Sequence, residues 1–199
     1  NTTGTNNVAI GSLALDANTT RHNNVAIGYR ALTNQSIADQ NTAVGADCMY
    51  SNTTGEYNVA MGFMTLYSNT TGNNNAAFGY QTLLANTTGI GNVGVGMYCL
   101  DANTTANYNT AIGYQSLTAN TTGTGNAAVG FNSLSANTTA GNNTAVGYKA
   151  LEANTTGTAN SALGKNVLDA NTTGTNNTAM GAYALGANTT ASQNVAIGY

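Results

Sequence analysis

Apolar and polar positions recur along this chain with a period of 17 residues. A glycine stands at residues 11, 28, 45 and at every seventeenth residue up to 198, and it closes a segment of the type Asn-Val-Ala-Ile-Gly. Within that segment two larger apolar residues flank a small one, as in Val25-Ala26-Ile27, and this alternation has the two-residue period of a β-strand. The pattern therefore predicts one strand in each repeat, directly before the glycine.

The second half of the repeat carries a leucine four residues after the glycine in ten repeats, with Met49 at the equivalent place in another. The segment Tyr29–Leu32 predicts a second, weaker strand with Leu32 in the core, and a helical segment is the alternative. Asn-Thr-Thr-Gly follows and has the composition of a turn. Large apolar residues are few, for example Val25, Ile27, Tyr29 and Leu32 in one repeat, so each rung offers little surface for burial.

The length of the period indicates the architecture, because 17 residues are too few for a pair of helices but fit one coil of a solenoid. We predict an all-β fold, a repetitive parallel β-roll or β-solenoid of twelve 17-residue rungs. Residues 1–199 form a single continuous array that begins and ends inside a repeat. We therefore expect a segment of a longer protein, truncated at both ends and without capping rungs.

An asparagine lies four residues before each of the twelve glycines. Rungs of a solenoid stack about 4.8 Å apart, so each residue lies above its own copies. An asparagine amide can donate to one neighbour and accept from the other, and a column of asparagines can thus satisfy itself. The predicted structural ladder comprises Asn7, Asn24, Asn41, Asn58, Asn75, Asn92, Asn109, Asn126, Asn143, Asn160, Asn177 and Asn194.

Charged residues make up only 6% of the chain, against roughly 25% in ordinary globular domains. Stacking explains this scarcity, because like charges repeated at that spacing repel by about 1 to 3 kcal/mol per pair. Four basic residues against seven acidic ones form no basic stripe, so we expect no nucleic-acid partner. No apolar stretch is long enough for a membrane span, so we expect no membrane insertion of this segment.

Residues that could carry chemistry are few. His22 is the only histidine, which excludes a multi-histidine metal site within one chain. Cys48 and Cys99 occupy the same repeat position three rungs apart, about 14 Å along the axis, too far for a disulfide. They are interpreted as core thiols. We predict no catalytic residues, no cofactor and no metal, and hence no enzyme.

The Asn-Thr-Thr segment has two interpretations. It forms a good turn and a polar ladder, and it is also an acceptor triplet for N-linked sugar. Further triplets begin at Asn34, Asn142 and Asn176. The candidate glycosylation residues are Asn1, Asn18, Asn34, Asn52, Asn69, Asn86, Asn103, Asn120, Asn137, Asn154, Asn171 and Asn188.

Aromatic residues often follow the glycine directly, as at Tyr29, Phe63 and Tyr80. They could form a strip that stacks on sugars, but packing between rungs or chains is the favoured interpretation. The limited burial within one rung also favours a symmetric oligomer in which identical chains bury their aromatic or aliphatic faces, with three-fold symmetry preferred.

The segments Asn24–Gly28 and Asn194–Gly198 resemble the head repeats of trimeric autotransporter adhesins. Asn143–Tyr148 is similar to repeats in the shafts of phage tail fibres and related bacterial surface proteins. The adhesin resemblance covers the whole chain and implies a trimeric, left-handed parallel β-roll on a bacterial surface that binds host matrix or other cells.

The functional hypothesis is a non-catalytic shaft of an extracellular fibre, at a cell surface or on a virion, whose main partner is itself, as a trimer or a fibril. One alternative is an extracellular fibril that carries a glycan on each Asn-Thr-Thr loop. Another is an adhesin whose side surface binds glycans, matrix or cell-surface ligands directly.

Overall fold

A computed structural model describes residues 2–199 of the chain. Within this range every regular element is a short strand, and no helix is present that could cross a membrane. The strands are β1 (Val8–Ile10), β2 (Val25–Ile27), β3 (Thr42–Val44), β4 (Val59–Met61), β5 (Ala76–Phe78), β6 (Val93–Val95), β7 (Thr110–Ile112), β8 (Ala127–Val129), β9 (Thr144–Val146), β10 (Ser161–Leu163), β11 (Thr178–Met180) and β12 (Val195–Ile197).

The strands form one parallel sheet in the order of the chain, from β1 to β12. Each residue pairs with the residue 17 positions later, as Val8 does with Val25 and Ala9 with Ala26. The all-β solenoid with 17-residue rungs is therefore confirmed. We number the repeat from the asparagine that precedes each strand, position 1. The glycine is then position 5, the leucine position 9 and the asparagine of Asn-Thr-Thr position 12.

Hydrogen bonds between rungs continue beyond the three-residue strands. The backbone N–H of Leu100 donates to Ser116 O at 3.1 Å, and that of Thr104 donates to Thr121 O at 3.2 Å. The register of the stack is thus fixed on several sides of the coil. A long period with so little regular strand is stable because most of the turn backbone is also paired from rung to rung.

The predicted second strand at Tyr29–Leu32 is wrong, and so is its helical alternative, because this segment is a turn. Arg30 and Leu32 have φ of 54° and 51°. These left-handed conformations fit neither an extended strand nor a right-handed helix. The prediction that Leu32 lies in the core is confirmed, since its side chain is fully buried.

The interior of the coil is narrow, and its largest apolar occupants are the leucines and the methionine at position 9. Ala26 points inward from its strand and is fully buried, whereas Val25 and Ile27 lie on the outer face and are only half-buried. Gly94 replaces the alanine in one rung, and a Cβ there would lie 2.6 Å from Thr82 Cγ2. The sheet is therefore close to the opposite wall, and alanine is the largest residue found at position 3.

The residue at position 9 has φ between 49° and 56° in every rung. A left-handed conformation costs a residue with a side chain about 1 to 2 kcal/mol. Full burial of a leucine side chain contributes about 1.5 to 3 kcal/mol, so burial offsets the strained backbone. The repeated leucine is the main apolar filling of the core.

The glycine at position 5 has φ between 119° and 142° in all rungs, a region that residues with a Cβ rarely adopt. At Gly113 an added Cβ would also lie 2.5 Å from Gly130 O in the next rung. Both the conformation and the close approach of neighbouring backbone therefore require glycine.

We expect Gly113→Ala to lower the free energy of unfolding by about 3 kcal/mol or more, since strain and a backbone clash combine. Gly125→Asn is the matched control, because Gly125 has φ of 68° and asparagine occupies the same position, with φ of 56° to 61°, in five other rungs. Urea unfolding followed by circular dichroism measures both variants. Equal stabilities would contradict the assigned role of the position 5 glycine.

Candidate functional site

The outer face of the sheet carries a continuous apolar surface, formed by the side chains at positions 2 and 4, which we name the outer stripe. Position 4 is a large apolar residue in every rung and is exposed or half-buried: Ile10, Ile27, Val44, Met61, Phe78, Val95, Ile112, Val129, Val146, Leu163, Met180 and Ile197. Position 2 is valine, threonine, alanine or serine. The stripe therefore holds no charge along its length.

Small residues at position 2 open a shallow apolar recess in the outer stripe between β9 and β11. Val146, Leu163 and Met180 form one wall, and the other wall is Thr144, Ser161 and Thr178. The inward alanines of β10 and β11 lie between the walls. The recess follows the solenoid axis and is part of the outer stripe.

An aromatic column lies beside the outer stripe, on the far side of the position 5 glycine. Consecutive rings contact each other with centroids 5.3 to 6.2 Å apart, in the order Phe63, Tyr80, Tyr98, Tyr114, Phe131 and Tyr148. Three of the five contacts are face to face. The rings pack between rungs, and stacking on a sugar would need ring faces that these contacts already occupy.

The asparagines of position 1 form a column along the inside of the coil, which we name the first asparagine column. Asn109 Oδ1 accepts the backbone N–H of Asn126 at 2.9 Å and its Nδ2 at 3.2 Å. Asn109 Nδ2 donates to Gly123 O at 2.9 Å and to Asn92 Oδ1 at 3.3 Å. Each buried amide thus links its own rung to the neighbouring rungs, and it also donates to a backbone carbonyl at the far end of its own rung.

The asparagines of position 12 form a second asparagine column. Asn69 Nδ2 donates to Asn52 Oδ1 at 2.8 Å and to Gly72 O at 3.0 Å. Gln35 replaces asparagine in one rung and continues the column towards the next rung, because its Oε1 accepts from Asn52 Nδ2 at 3.4 Å. Its Nε2 donates to Ala38 O at 3.0 Å.

The two columns meet at the carbonyl oxygen of position 15. Asn41 Nδ2 donates to Gly55 O at 2.7 Å, and Asn52 Nδ2 donates to the same oxygen at 2.9 Å. The same shared contact recurs at Gly72, with Asn58 and Asn69 as the donors. This arrangement satisfies three buried polar groups at once and ties the turn after Asn-Thr-Thr to the start of the strand.

The interior position of the second column bears directly on the candidate glycosylation residues. A sugar on these side chains would have to occupy space that neighbouring rungs fill. Ten of the twelve candidates lie in the column and are described; nine of these are fully buried: Asn18, Asn52, Asn69, Asn86, Asn103, Asn120, Asn137, Asn154 and Asn171. Asn188 is half-buried, Asn34 lies outside the column and is exposed, and Asn1 falls outside the described residues.

The charged side chains lie outside these columns. Arg30 and Asp47 form an ion pair of 2.7 Å, and Lys149 and Glu152 form one of 3.2 Å. His22 is half-buried and accepts the backbone N–H of Thr5 at 3.0 Å. Across residues 2–199 no three His, Cys, Asp or Glu side chains are grouped so that they could hold a metal ion.

Both cysteines are free and buried, as predicted for core thiols. Burial raises the pKa of Cys48 to about 12 and the pKa of Cys99 to about 11. The thiolate is the reactive form of cysteine, so such thiols are poor nucleophiles at neutral pH.

The chain matches no protein-family model, and comparisons with curated proteins and with solved structures found no match.

We expect Asn109→Asp to destabilise the solenoid most strongly at neutral pH. A carboxylate cannot donate to Gly123 O or Asn92 Oδ1, and burial without these donors favours its neutral form. The folded-state pKa of the introduced carboxyl group is then raised above its unfolded value of about 3.9. The variant should therefore lose about 3 kcal/mol or more at pH 7 and regain part of it as the pH falls from the raised folded-state pKa to about 4, below which the recovery is complete.

Asn107→Asp is the matched control for that substitution. Asn107 Oδ1 accepts the backbone N–H of Ile90 at 2.7 Å, and Asp39 makes the same contact with His22 N–H in an earlier rung. Its stability should differ from the unsubstituted chain by less than about 1 kcal/mol. Urea unfolding at pH 7 and at about pH 3.5, just below the unfolded-state pKa of aspartate, measures both variants, and equal losses at pH 7 would contradict the assigned role of the first column.

We expect both thiols to be protected in the folded chain. Alkylation by iodoacetamide at about pH 8 should be slower than that of glutathione by roughly 100-fold or more, because little thiolate forms. Both cysteines should react at the ordinary rate in concentrated guanidinium. Mass spectrometry follows the modification, and rapid labelling of Cys48 in the native protein would contradict the buried position.

Proposed function

We propose that this chain is a non-catalytic shaft segment of an extracellular fibre whose copies associate side by side through the outer stripe. The observation that carries the proposal is the unbroken row of large apolar residues on the outside of the sheet, from Ile10 to Ile197. In a single chain this row faces solvent, and it contains no charged residue. An exposed apolar surface of this kind typically marks an interaction site.

The size of the surface supports association between copies. Twelve rungs at about 4.8 Å give a stripe about 57 Å long. Positions 2 to 6, which include both the outer stripe and the adjacent aromatic residues, span about 13 Å at the usual rise per strand residue, which gives about 750 Å² in all. A standard protein interface buries about 800 Å² on each partner, so the stripe and the aromatic residues together offer about the area of a stable contact.

The arrangement of the apolar columns supports a closed ring of chains. The outer stripe and the aromatic column lie on the two sides of the position 5 glycine, where the chain changes direction. A coil with two adjacent apolar faces can contact one neighbour with each face, and cyclic symmetry satisfies both faces in all copies. A parallel trimer of left-handed coils, as the resemblance to adhesin repeats implies, is the assembly we propose.

The extracellular and structural parts of the proposal rest on that resemblance and on the repetition. Each rung contacts only its neighbours, so length can be added without a new core. The asparagine columns, the leucines of position 9 and the glycines of position 5 all stabilise the stack of rungs. Six of the eleven charged residues form three separate pairs, Arg21–Asp39, Arg30–Asp47 and Lys149–Glu152, and a shaft needs no further chemistry from the charged groups.

We expect Ile112→Lys to dissociate the oligomer while the coil stays folded. Ile112 lies near the middle of the outer stripe with 39% of its surface exposed, so a lysine fits the single chain. Three-fold symmetry would place one lysine in each of the three apolar interfaces, where unpaired charge is costly. Analytical ultracentrifugation should change from three times 20.1 kDa to one chain mass.

Thr122→Lys is the control, since Thr122 is exposed at position 14, away from the outer stripe. It should leave the oligomer unchanged. A monomeric unsubstituted chain at micromolar concentration would contradict the proposed association.

A folded chain that binds matrix proteins or cells through its side surface would support a direct adhesin instead of a passive shaft. Antibody labelling of intact cells tests the extracellular position.

A further inference from the structure

The acceptor triplets Asn-x-Ser/Thr of this chain fall into two structural classes. The Asn-Thr-Thr asparagines within residues 2–199 belong to the second asparagine column, and nine of them are fully buried. Asn34, Asn142 and Asn176 begin the remaining triplets, and all three side chains are exposed. The sequence motif is the same in both classes, so the fold separates the asparagines that a modifying enzyme can reach from those it cannot.

The three exposed asparagines have amide nitrogens that the fold does not use. Within residues 2–199 the side-chain amides of Asn34 and Asn142 make no hydrogen bond, and Asn176 Nδ2 has only a long contact of 3.5 Å with the Thr175 hydroxyl. The hydroxyl residues that complete the triplets, Ser36, Thr144 and Thr178, are exposed as well. Both recognition elements of each triplet are therefore accessible in the folded chain.

We propose that Asn34, Asn142 and Asn176 are the acceptor residues of this chain for N-linked oligosaccharide, and that the Asn-Thr-Thr asparagines of the interior column are not. The co-substrate is a lipid-linked oligosaccharide. The amide Nδ2 forms a bond to C1 of the first sugar, the bond from C1 to the phosphate oxygen breaks, the lipid phosphate leaves, and the amide loses one proton. The inference rests on the proposed extracellular function in that the chain must enter a compartment that holds this donor.

The asparagines of the second asparagine column cannot take part in the same reaction in the folded chain, for two reasons. Both hydrogens of Asn69 Nδ2 are donated, to Asn52 Oδ1 and to Gly72 O, so a sugar would remove one of these bonds. The side chain is fully buried, so a sugar would also need space that the neighbouring rungs occupy. A rung modified there before folding cannot join the stack, and the folded fraction should contain no such species.

The spacing of the exposed sites fits attached glycans. Asn142 and Asn176 lie two rungs apart, about 9.6 Å along the axis, whereas a glycan on every rung would repeat at about 4.8 Å. Other residues at the same position 17 project strongly into solvent, since Tyr57 and Tyr108 are 54% and 69% exposed. Asn34 lies at position 11, far from these two in the stack.

The experiment is secretion of the chain from a eukaryotic cell line, which supplies the donor whatever the natural source. The protease-resistant folded fraction is purified, its intact mass is compared with 20.1 kDa, and sites are mapped after enzymatic release of N-glycans in ¹⁸O water. We expect up to three glycans, at Asn34, Asn142 and Asn176. The variants Ser36→Ala, Thr144→Val and Thr178→Val should each remove one glycan.

The repeat itself provides variants that leave the fold intact. Valine occupies position 2 in five other rungs, so Thr144→Val and Thr178→Val introduce a residue that the stack already accepts. A glycan on any fully buried Asn-Thr-Thr asparagine of the folded fraction would overturn the proposal, and so would absence of glycan from all three exposed sites. Glycan occupancy is measured on the chain mass, so it is independent of whether the chains form trimers.

Discussion

The hydrogen bond from one asparagine to the backbone of the next is the interaction on which the stack depends. Asn126 N–H donates to Asn109 Oδ1, and the same bond recurs one rung earlier between Asn109 and Asn92. All these amides point in the same direction along the axis, so each bond polarises the next and strengthens it. The side chain thereby fixes the register at the start of every strand, which three backbone pairs alone would specify weakly.

The same interaction determines which residues the repeat can contain. A buried column of identical side chains requires a group that is both donor and acceptor, and a carboxylate or an ammonium ion is only one of these. Charge is therefore restricted to positions such as 16, where Asp39 accepts one N–H at the surface. The glycine of position 5 and the alanine of position 3 are fixed by close contact instead, because backbone or side-chain atoms of the coil lie directly against them.

Much of this architecture could be predicted from the sequence, because periodicity translates directly into stacking. The 17-residue rung, the strand before the glycine, Leu32 in the core and an amide column follow from pattern and donor-acceptor chemistry. The conformation of the second segment could not be predicted, since nothing about a leucine indicates φ of 51°. That backbone is imposed by burial of the side chain in a tight coil, a tertiary effect that overrides local preference.

The candidate sites show the same division between motif and environment. The Asn-Thr-Thr triplet is identical as a sequence signal whether its asparagine lies inside or outside, and only the fold places Asn69 inside and Asn34 outside. The signal that was present is repetition, because an asparagine kept in nearly every rung suits a column that must satisfy itself, whereas the acceptor triplets at Asn34, Asn142 and Asn176 occur in only a few rungs.

The narrow interior also accounts for the outer stripe. A strand alternates its side chains between two faces, and because the inner face admits only alanine or glycine, the side chains of positions 2 and 4 must face outward. The coil thus places the large apolar side chains of position 4 where the same chain does not bury them completely. Leucines at position 9 stabilise the single coil, but burial of Ile112 and its equivalents requires a second surface. The association that we propose between copies has its physical basis in the same geometric limit that makes the rung small.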